Sequence, residues 1–552
     1  MNERMLHFRE GFSHPSIEFR PELRWWLAEG LHTDETLRRE IADAHRLGFG
    51  GMEFLAMDDV GIDHTRYGWG AEEWTHDSGV VVEETTAREM SVSFTSGTNW
   101  SNANLPTITP DDRAASQELD YTIEDVEGSR SGRITTINFD QDGEKVFIPG
   151  AHLAPHVQRL RAVLAAPVID GDDTLVINPS EIIDLTPSVK GGYILNSRDS
   201  ASDHDAPSLE WTAPDSRRWR LFAFWMHGTG QTAEPSAATN VTVNYLDRDG
   251  VDAVIDYWTK VVLTPELEAE IERNPRAQMY MDSLELNTWG KGGLFWGFCL
   301  EDEFRERRGY SIIPWLPFLV RSVPMMACST KYRYESVPER RIDVEKVRYD
   351  YVKTLTDLYI EHMLRPFATF LHEHGIALRA EISYGLPFEL TRPGPEVDGI
   401  ETESLEFGGQ IDAYRLLAGP AHLFGKQYSS ETGATSRNHM LDHRFYDQII
   451  ATQLAAGVTK TVLHGWSSPA GPEETTRWPG HEGMYSAFSE RFDTRQPSSE
   501  FYPLWTEALA RIQYALRQGL PRIDGRHPLH GSLRRQHVGH IPRGCSRYPR
   551  SR

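Results

Sequence analysis

The sequence predicts an α/β fold: a (β/α)8, TIM-like barrel with an all-β insertion after the third strand. Three observations carry that expectation. Short apolar runs alternate with amphipathic helical stretches near both ends of the chain, and eight such runs can be counted. A long segment of alternating strands and turn-rich loops interrupts them after the third run. No GxGxxG or GKS/T motif opens a βα turn, which favours the barrel over an open doubly wound sheet.

The elements follow in order. "LRWWLA" reads as a short aromatic strand near 23–28. Thr33 then caps a helix whose first turn holds Asp34 and Glu35, where the dipole favours acids. Leu37, Ile41, Ala44 and Leu47 recur at helical spacing, and Gly48 ends the run. "GMEFLAM" (51–57) follows as a second buried strand, then a helix over about 70–88 and a third strand at 90–95. From 116 to 236 the texture is that of strands such as "GRITTINF" and "RRWRLFAFWMHG", separated by "DGDD" and "NSRDSASDHDAPS". Strand–helix alternation then resumes with strands near 278–284, 376–382, 399–405, 426–431 and 460–465. Between them lie helical patterns at 344–374, 409–424 and 441–456, the first divided or kinked by Pro366. The organisation read from this is barrel (1–115), β-rich insertion (116–236), remainder of the barrel (237–522) and a basic irregular tail (523–552). The tail holds no Asp or Glu and no apolar periodicity; a non-native or unstructured end is preferred to a basic arm.

With 552 residues and a formal net charge of -24, the chain is a poor partner for nucleic acid or an anionic membrane. Its three cysteines, Cys299, Cys328 and Cys545, form no CxxC or Cys/His cluster, which excludes a disulfide scaffold and a structural zinc site built on cysteine. The opening "MNERMLHFREGFSHPS" has no apolar signal region and no later run suits a membrane span, so a cytoplasmic location is expected. The N-x-S/T matches at Asn99 and Asn240 carry little weight without such a signal.

Active sites of such barrels form where the strands end, and several of these strands end in acids. The fourth gives Asp282 and Glu285, the fifth Glu381, the sixth Glu401, Glu403 and Glu406, the seventh Glu431, and the eighth ends at His464. Residues three apart point to opposite faces of a strand, so Asp282 and Glu285 cannot both face the axis from regular strand. Glu401 and Glu403, two apart, share a face and could grip one hard cation or polar ligand. Two carboxyls flanking a sugar are the parts glycoside hydrolysis needs. Trp25, Trp26, Trp289, Trp296 and Trp466 suit sugar stacking, although core packing is the plainer reading for at least half of them.

The stretches "SHPSIEFRPELRWWLAEGLHTDETLRREIADAHRLGFGGMEFL", "MDSLEL…FRERRGYSIIPWLP", "LRAEISYG", "DGIETESL" and "KQYSSETG" resemble, in order, the α-L-rhamnosidases of glycoside hydrolase family 106. The resemblance implies an inverting hydrolase that releases terminal rhamnose, with a rhamnoside as its partner and a calcium ion holding sugar hydroxyls. By resemblance, Glu285 is the general acid and Glu431 the general base, Glu401 and Glu403 are calcium ligands, and Asp282 is a neighbour or substrate ligand. Trp25, Tyr384 and His464 complete the expected sugar site. The chain departs from the family pattern at Glu381, where an amide is expected, and in lacking the family's C-terminal β domains. The rival readings are a barrel glycosidase of other specificity and an inactive, truncated carbohydrate-binding protein.

Overall fold

The computed structural model describes residues 3–28, 32–57, 63–100, 103–139, 152–170, 174–198, 205–234, 236–290, 293–322, 331–382, 388–434, 443–468 and 492–521. Tyr384 and the 523–552 tail lie outside them.

Eight parallel strands close into a barrel: β1 (Glu22–Ala28), β2 (Gly51–Met57), β3 (Ser91–Thr95), β4 (Ala277–Met281), β5 (Ala377–Ala380), β6 (Gly399–Glu403), β7 (Gln427–Thr432) and β8 (Lys460–Ser467). They follow chain order around the ring, and β8 pairs back on β1 through Glu22 and Val462. Every strand coincides with an expected run. β4 stops three residues before 284, because beyond Met281 the chain leaves the barrel ladder and is held from outside it.

Local sequence explains the surrounding helices. The Thr33 hydroxyl accepts the Thr36 N–H at 3.3 Å and starts the helix Asp34–Arg46, which buries Leu37, Ile41 and Ala44 against the barrel. The long helical stretch runs as Arg341–Leu358, a wide turn Tyr359–Leu364, and Arg365–Glu373. The backbone stays helical through Pro366, which follows directly on the wide turn, so the stretch is not divided there.

The long β3–β4 connection builds a β layer whose central strands are Gln117–Val126, Trp219–Gly228 and Val157–Asp170, paired antiparallel. Trp219–Gly228 is apolar along most of its length because both faces are covered. Phe222, Phe224 and Met226 join the main core, while Trp219, Leu221, Ala223 and Trp225 pack into a second, smaller one. The layer is wider than the expected 116–236 boundary. Leu294–Trp296 and Tyr334–Ser336, both from the β4–β5 connection, add to its edges, and Asn104–Leu105 pairs with Asn240–Thr242 beside it. Short edge strands separated by long gaps leave no alternation for a sequence reading to find.

The barrel interior is the unusual part. Branched apolar side chains ordinarily fill such a barrel; here the inward positions carry charge. At the N-terminal end, Lys460 meets Glu22 at 2.6 Å, with Arg276 at 3.7 Å. In the middle, Arg379 from β5 binds both Glu53 of β2 and Glu401 of β6, and donates to Gln278 of β4 at 3.2 Å. At the C-terminal end, Arg24 of β1 takes over. Buried charges persist only when paired, so each layer ties several strands together in one register.

Candidate active site

Strand alternation decides which residues face the barrel mouth. On β1, Arg24 and Trp26 point inward while Trp25 points out toward the helix Asp34–Arg46. There the Trp25 indole donates to Glu40 at 2.9 Å, and Trp466 donates to the same carboxylate at 3.3 Å. Trp25 is wholly buried in this contact, so the structure does not bring it to the mouth as expected. Trp26 is the indole that turns inward, its ring edge-on to His464 at 4.8 Å. Trp296 lies in the core beneath the β layer, and Trp289 packs against Phe139 and His152.

Arg24 is the hub. Its Nε donates to Glu53 at 2.7 Å, and its Nη1 reaches Asp282 at 3.0 Å and Glu431 at 2.5 Å. Tyr280 lies beneath, with the Arg24 and Arg379 guanidiniums 4.8 and 4.5 Å from its ring centre. Its hydroxyl donates to Glu431 at 3.5 Å, and His464 Nε2 stands 3.6 Å from the other Glu431 oxygen. Glu431 is therefore held from three sides, on the last inward position of β7. Burial pushes its carboxyl well above the usual range; Arg24 pulls it down, while Asp282, Glu403 and Glu53 push it further up. A base of this kind is strong once ionised, and Arg24 is what keeps ionisation within reach.

Glu285 is placed differently. It lies on the extended segment beyond β4, partly exposed, where the Ser283 hydroxyl donates to its carboxylate at 3.4 Å. Gln231, from the β layer, grips the backbone on both sides. Its amide donates to the Glu285 carbonyl at 2.8 Å and its oxygen accepts the Asn287 N–H at 2.8 Å. Glu118 of the same layer accepts the Trp289 N–H at 2.5 Å and the Gly290 N–H at 3.2 Å. Asp282 keeps the inward face of β4 and belongs to the Arg24 cluster, where burial raises its carboxyl and Arg24 opposes the rise. The two acids are thus held by different partners, Asp282 by Arg24 and Glu285 by Ser283, on chain that has left regular strand.

Glu381, where the expected pattern has an amide, is fully buried. Burial, with Asp282, Glu403 and Glu431 nearby, pushes its carboxyl well above the usual range.

Glu401 and Glu403 share the inward face, as their spacing requires, but they sit at different depths. Glu401 is fully buried, with one oxygen bound to Arg379 and Ser429. Among the described residues, neither Glu401 nor Glu403 belongs to a group of three potential ligands whose donor atoms all lie within 4.8 Å of one another. A hard cation asks for six or more oxygens. The residues described here do not by themselves fit a calcium ion, and no step below runs through one.

Arg24, Glu53, Tyr280, Arg379 and Gln231 were not among the expected site residues. A signal existed for the first: an arginine inside "LRWWLA" requires a buried anion.

The family model for α-L-rhamnosidases, glycoside hydrolase family 106, matches residues 160–525, about two thirds of the chain. The chain belongs to this family. A structure titled rhamnosidase from Novosphingobium sp. PP1Y superposes with a TM-score of 0.61 over 93% of this chain and 61% of that one, at 14% identity. That likeness shows the shared fold. A protein named putative beta-glucuronidase from Formosa agariphila is 21% identical over 479 residues, 83% of this chain and 38% of its own length. The chain thus spans less than two thirds of the length of both relatives. The matched region contains β4 to β8, and with them Asp282, Glu285, Glu401, Glu403, Glu431 and His464. No described helix is long and apolar enough to cross a membrane.

Proposed function

We propose that the chain is an inverting α-L-rhamnosidase that releases terminal rhamnose from glycosides or glycans. The observation that supports this reading is the asymmetric setting of two carboxyls, one on the last inward position of β7 and one four residues past the end of β4. Glu431 is clamped by Arg24 and buried, and Glu285, itself partly exposed, stands on a separate segment. Glu285 protonates the glycosidic oxygen as the bond to the anomeric carbon breaks. Glu431 takes a proton from a water that attacks the opposite face. Asp282 and His464 flank Glu431 and suit contacts to sugar hydroxyls, while Trp26 offers an inward indole. Tyr384 remains an expected sugar ligand.

The test is hydrolysis of an aryl α-L-rhamnoside followed by proton NMR. The reading expects the anomer of opposite configuration to form first, and near-complete loss of activity in Glu285→Gln and Glu431→Gln. Retained configuration, or near-wild-type turnover by both variants, overturns it. Turnover of a different aryl glycoside in place of the rhamnoside would move the specificity while leaving the two carboxyls in role. Activity with EGTA and after calcium add-back tests the calcium expectation separately.

A further inference from the structure

Away from the barrel mouth, Glu118, Asp120 and His227 meet between the β layer and the turn that follows Trp289. One ligand atom from each lies within 4.8 Å of the others, and all three residues are buried. Neighbouring strands bring them together: Glu118 on Gln117–Val126 is the register partner of His227 on Trp219–Gly228. Two buried carboxylates with no counter-charge are costly, and no lysine or arginine among the described residues pairs with either. Backbone N–H groups supply part of the compensation, from Trp289 and Gly290 to Glu118 and from Tyr121 to Asp120.

The imidazole gives the independent indication. His227 Nδ1 lies 2.8 Å from the Gly228 carbonyl, which can only accept, so Nδ1 carries the proton. Nε2 is left with a bare lone pair. It is fully buried, has no hydrogen-bond partner, and faces Asp120 Oδ2 at 4.0 Å. An imidazole whose far nitrogen is fixed by a backbone carbonyl has the arrangement that metal-binding histidines adopt. The backbone also comes unusually close. A Cβ at Gly290 would stand 2.3 Å from Asp120 Oδ2, and one at Gly293 would stand 2.1 Å from Glu118 Oε2. Burial keeps the ring neutral, holding His227 down at about 4, as ligation requires.

We propose that Glu118, Asp120 and His227 bind one divalent first-row transition ion, such as Mn2+ or Zn2+. One nitrogen and two carboxylates suit these ions better than Ca2+, which takes oxygen ligands. The ion fastens Trp289 and Gly290 to the β layer, and with them the segment that carries Glu285. This site is distinct from the expected Glu401–Glu403 pair and does not depend on the rhamnosidase reading.

The test uses the full chain, stripped by chelator and then titrated with Mn2+, Zn2+, Co2+ and Ca2+. The proposal expects one transition ion per chain by elemental analysis and a rise in Tm on loading. It also expects a Co2+ spectrum with nitrogen coupling, and binding weakened about tenfold or more in Asp120→Asn and His227→Gln. His76→Ala, in the surface group Asp34–His76–Asp77, should bind as wild type. Failure of the wild-type chain to take up a transition ion overturns the proposal. So does unchanged binding in folded Asp120→Asn, or tight binding of Ca2+ alone. Should the variants not fold, absence of nitrogen coupling in the wild-type Co2+ protein overturns it equally.

Discussion

Glu431 and Glu285 are positioned by opposite means. Glu431 sits on a barrel strand, deep in a lattice where each guanidinium serves two or three carboxylates. Glu285 sits past the end of a strand, on backbone held by neutral hydrogen bonds from Gln231 and by Glu118. The difference suits the proposed tasks. A base that attacks through water needs a fixed, charged setting. An acid that meets varied leaving groups can stand nearer solvent, on a segment whose position the β layer sets. On the proposed assignment the insertion supports the acid through its backbone, although no insertion side chain need touch the sugar.

The comparison can be broken most severely at the carboxyls themselves. Glu431→Gln should lower kcat by roughly 10²–10⁴-fold or more, with KM nearly unchanged, read by steady-state kinetics. Arg24→Met removes the cation shared by Glu53, Asp282 and Glu431. Breaking a buried pair by deleting one partner should cost about 3–5 kcal/mol in denaturant unfolding. It should also move the acidic limb of the pH–activity profile. Glu431 must be ionised to act as base, burial already raises its pKa, and losing Arg24 raises it again. The limb therefore shifts to higher pH; a shift to lower pH would show that Glu431 is not the group titrating.

A third variant separates the lattice from its surroundings. Glu40 lies outside the barrel wall, bound by Trp25, Trp466 and Ser468, and burial raises its carboxyl to about 7. A pKa raised in the folded state contributes stability that is complete below about 4.5 and lost as pH rises through about 7. Glu40→Gln should remove that decline, worth about 3 kcal/mol, from unfolding curves measured across the window. The Arg24 cluster should be unaffected. Gln231→Ala should have the smallest effect, about 1–3 kcal/mol from two lost backbone hydrogen bonds. It should impair Glu285 selectively, lowering turnover of alkyl glycosides more than that of aryl glycosides.

The barrel was legible because its strands are short apolar runs bounded by capped helices, as around Thr33 and Gly48. Glu285 and Glu431 are named by motif resemblance, and strand period warned that Asp282 and Glu285 could not both face the axis from regular strand. The Arg24 lattice was harder to see. Its members lie on β1, β2, β4, β5, β6 and β7, and nothing local in "LRWWLA" says which distant acid answers the arginine. Trp25 and Trp26 show the same limit. Adjacent identical residues point to opposite faces, and only the register of β1 decides which one reaches the mouth. Gln231 had no signal, because it acts through backbone atoms some fifty residues away.

The division of labour is tested most directly by measuring kcat/KM for Glu285→Gln and Glu431→Gln on paired aryl and alkyl α-L-rhamnosides. An acid matters less when the leaving group is already stabilised, whereas a base matters equally for both. Glu285→Gln should therefore lose far more activity on the alkyl substrate than on the aryl one, and Glu431→Gln should lose the same on both. Equal losses by Glu285→Gln, or a leaving-group dependence confined to Glu431→Gln, would contradict the assignment.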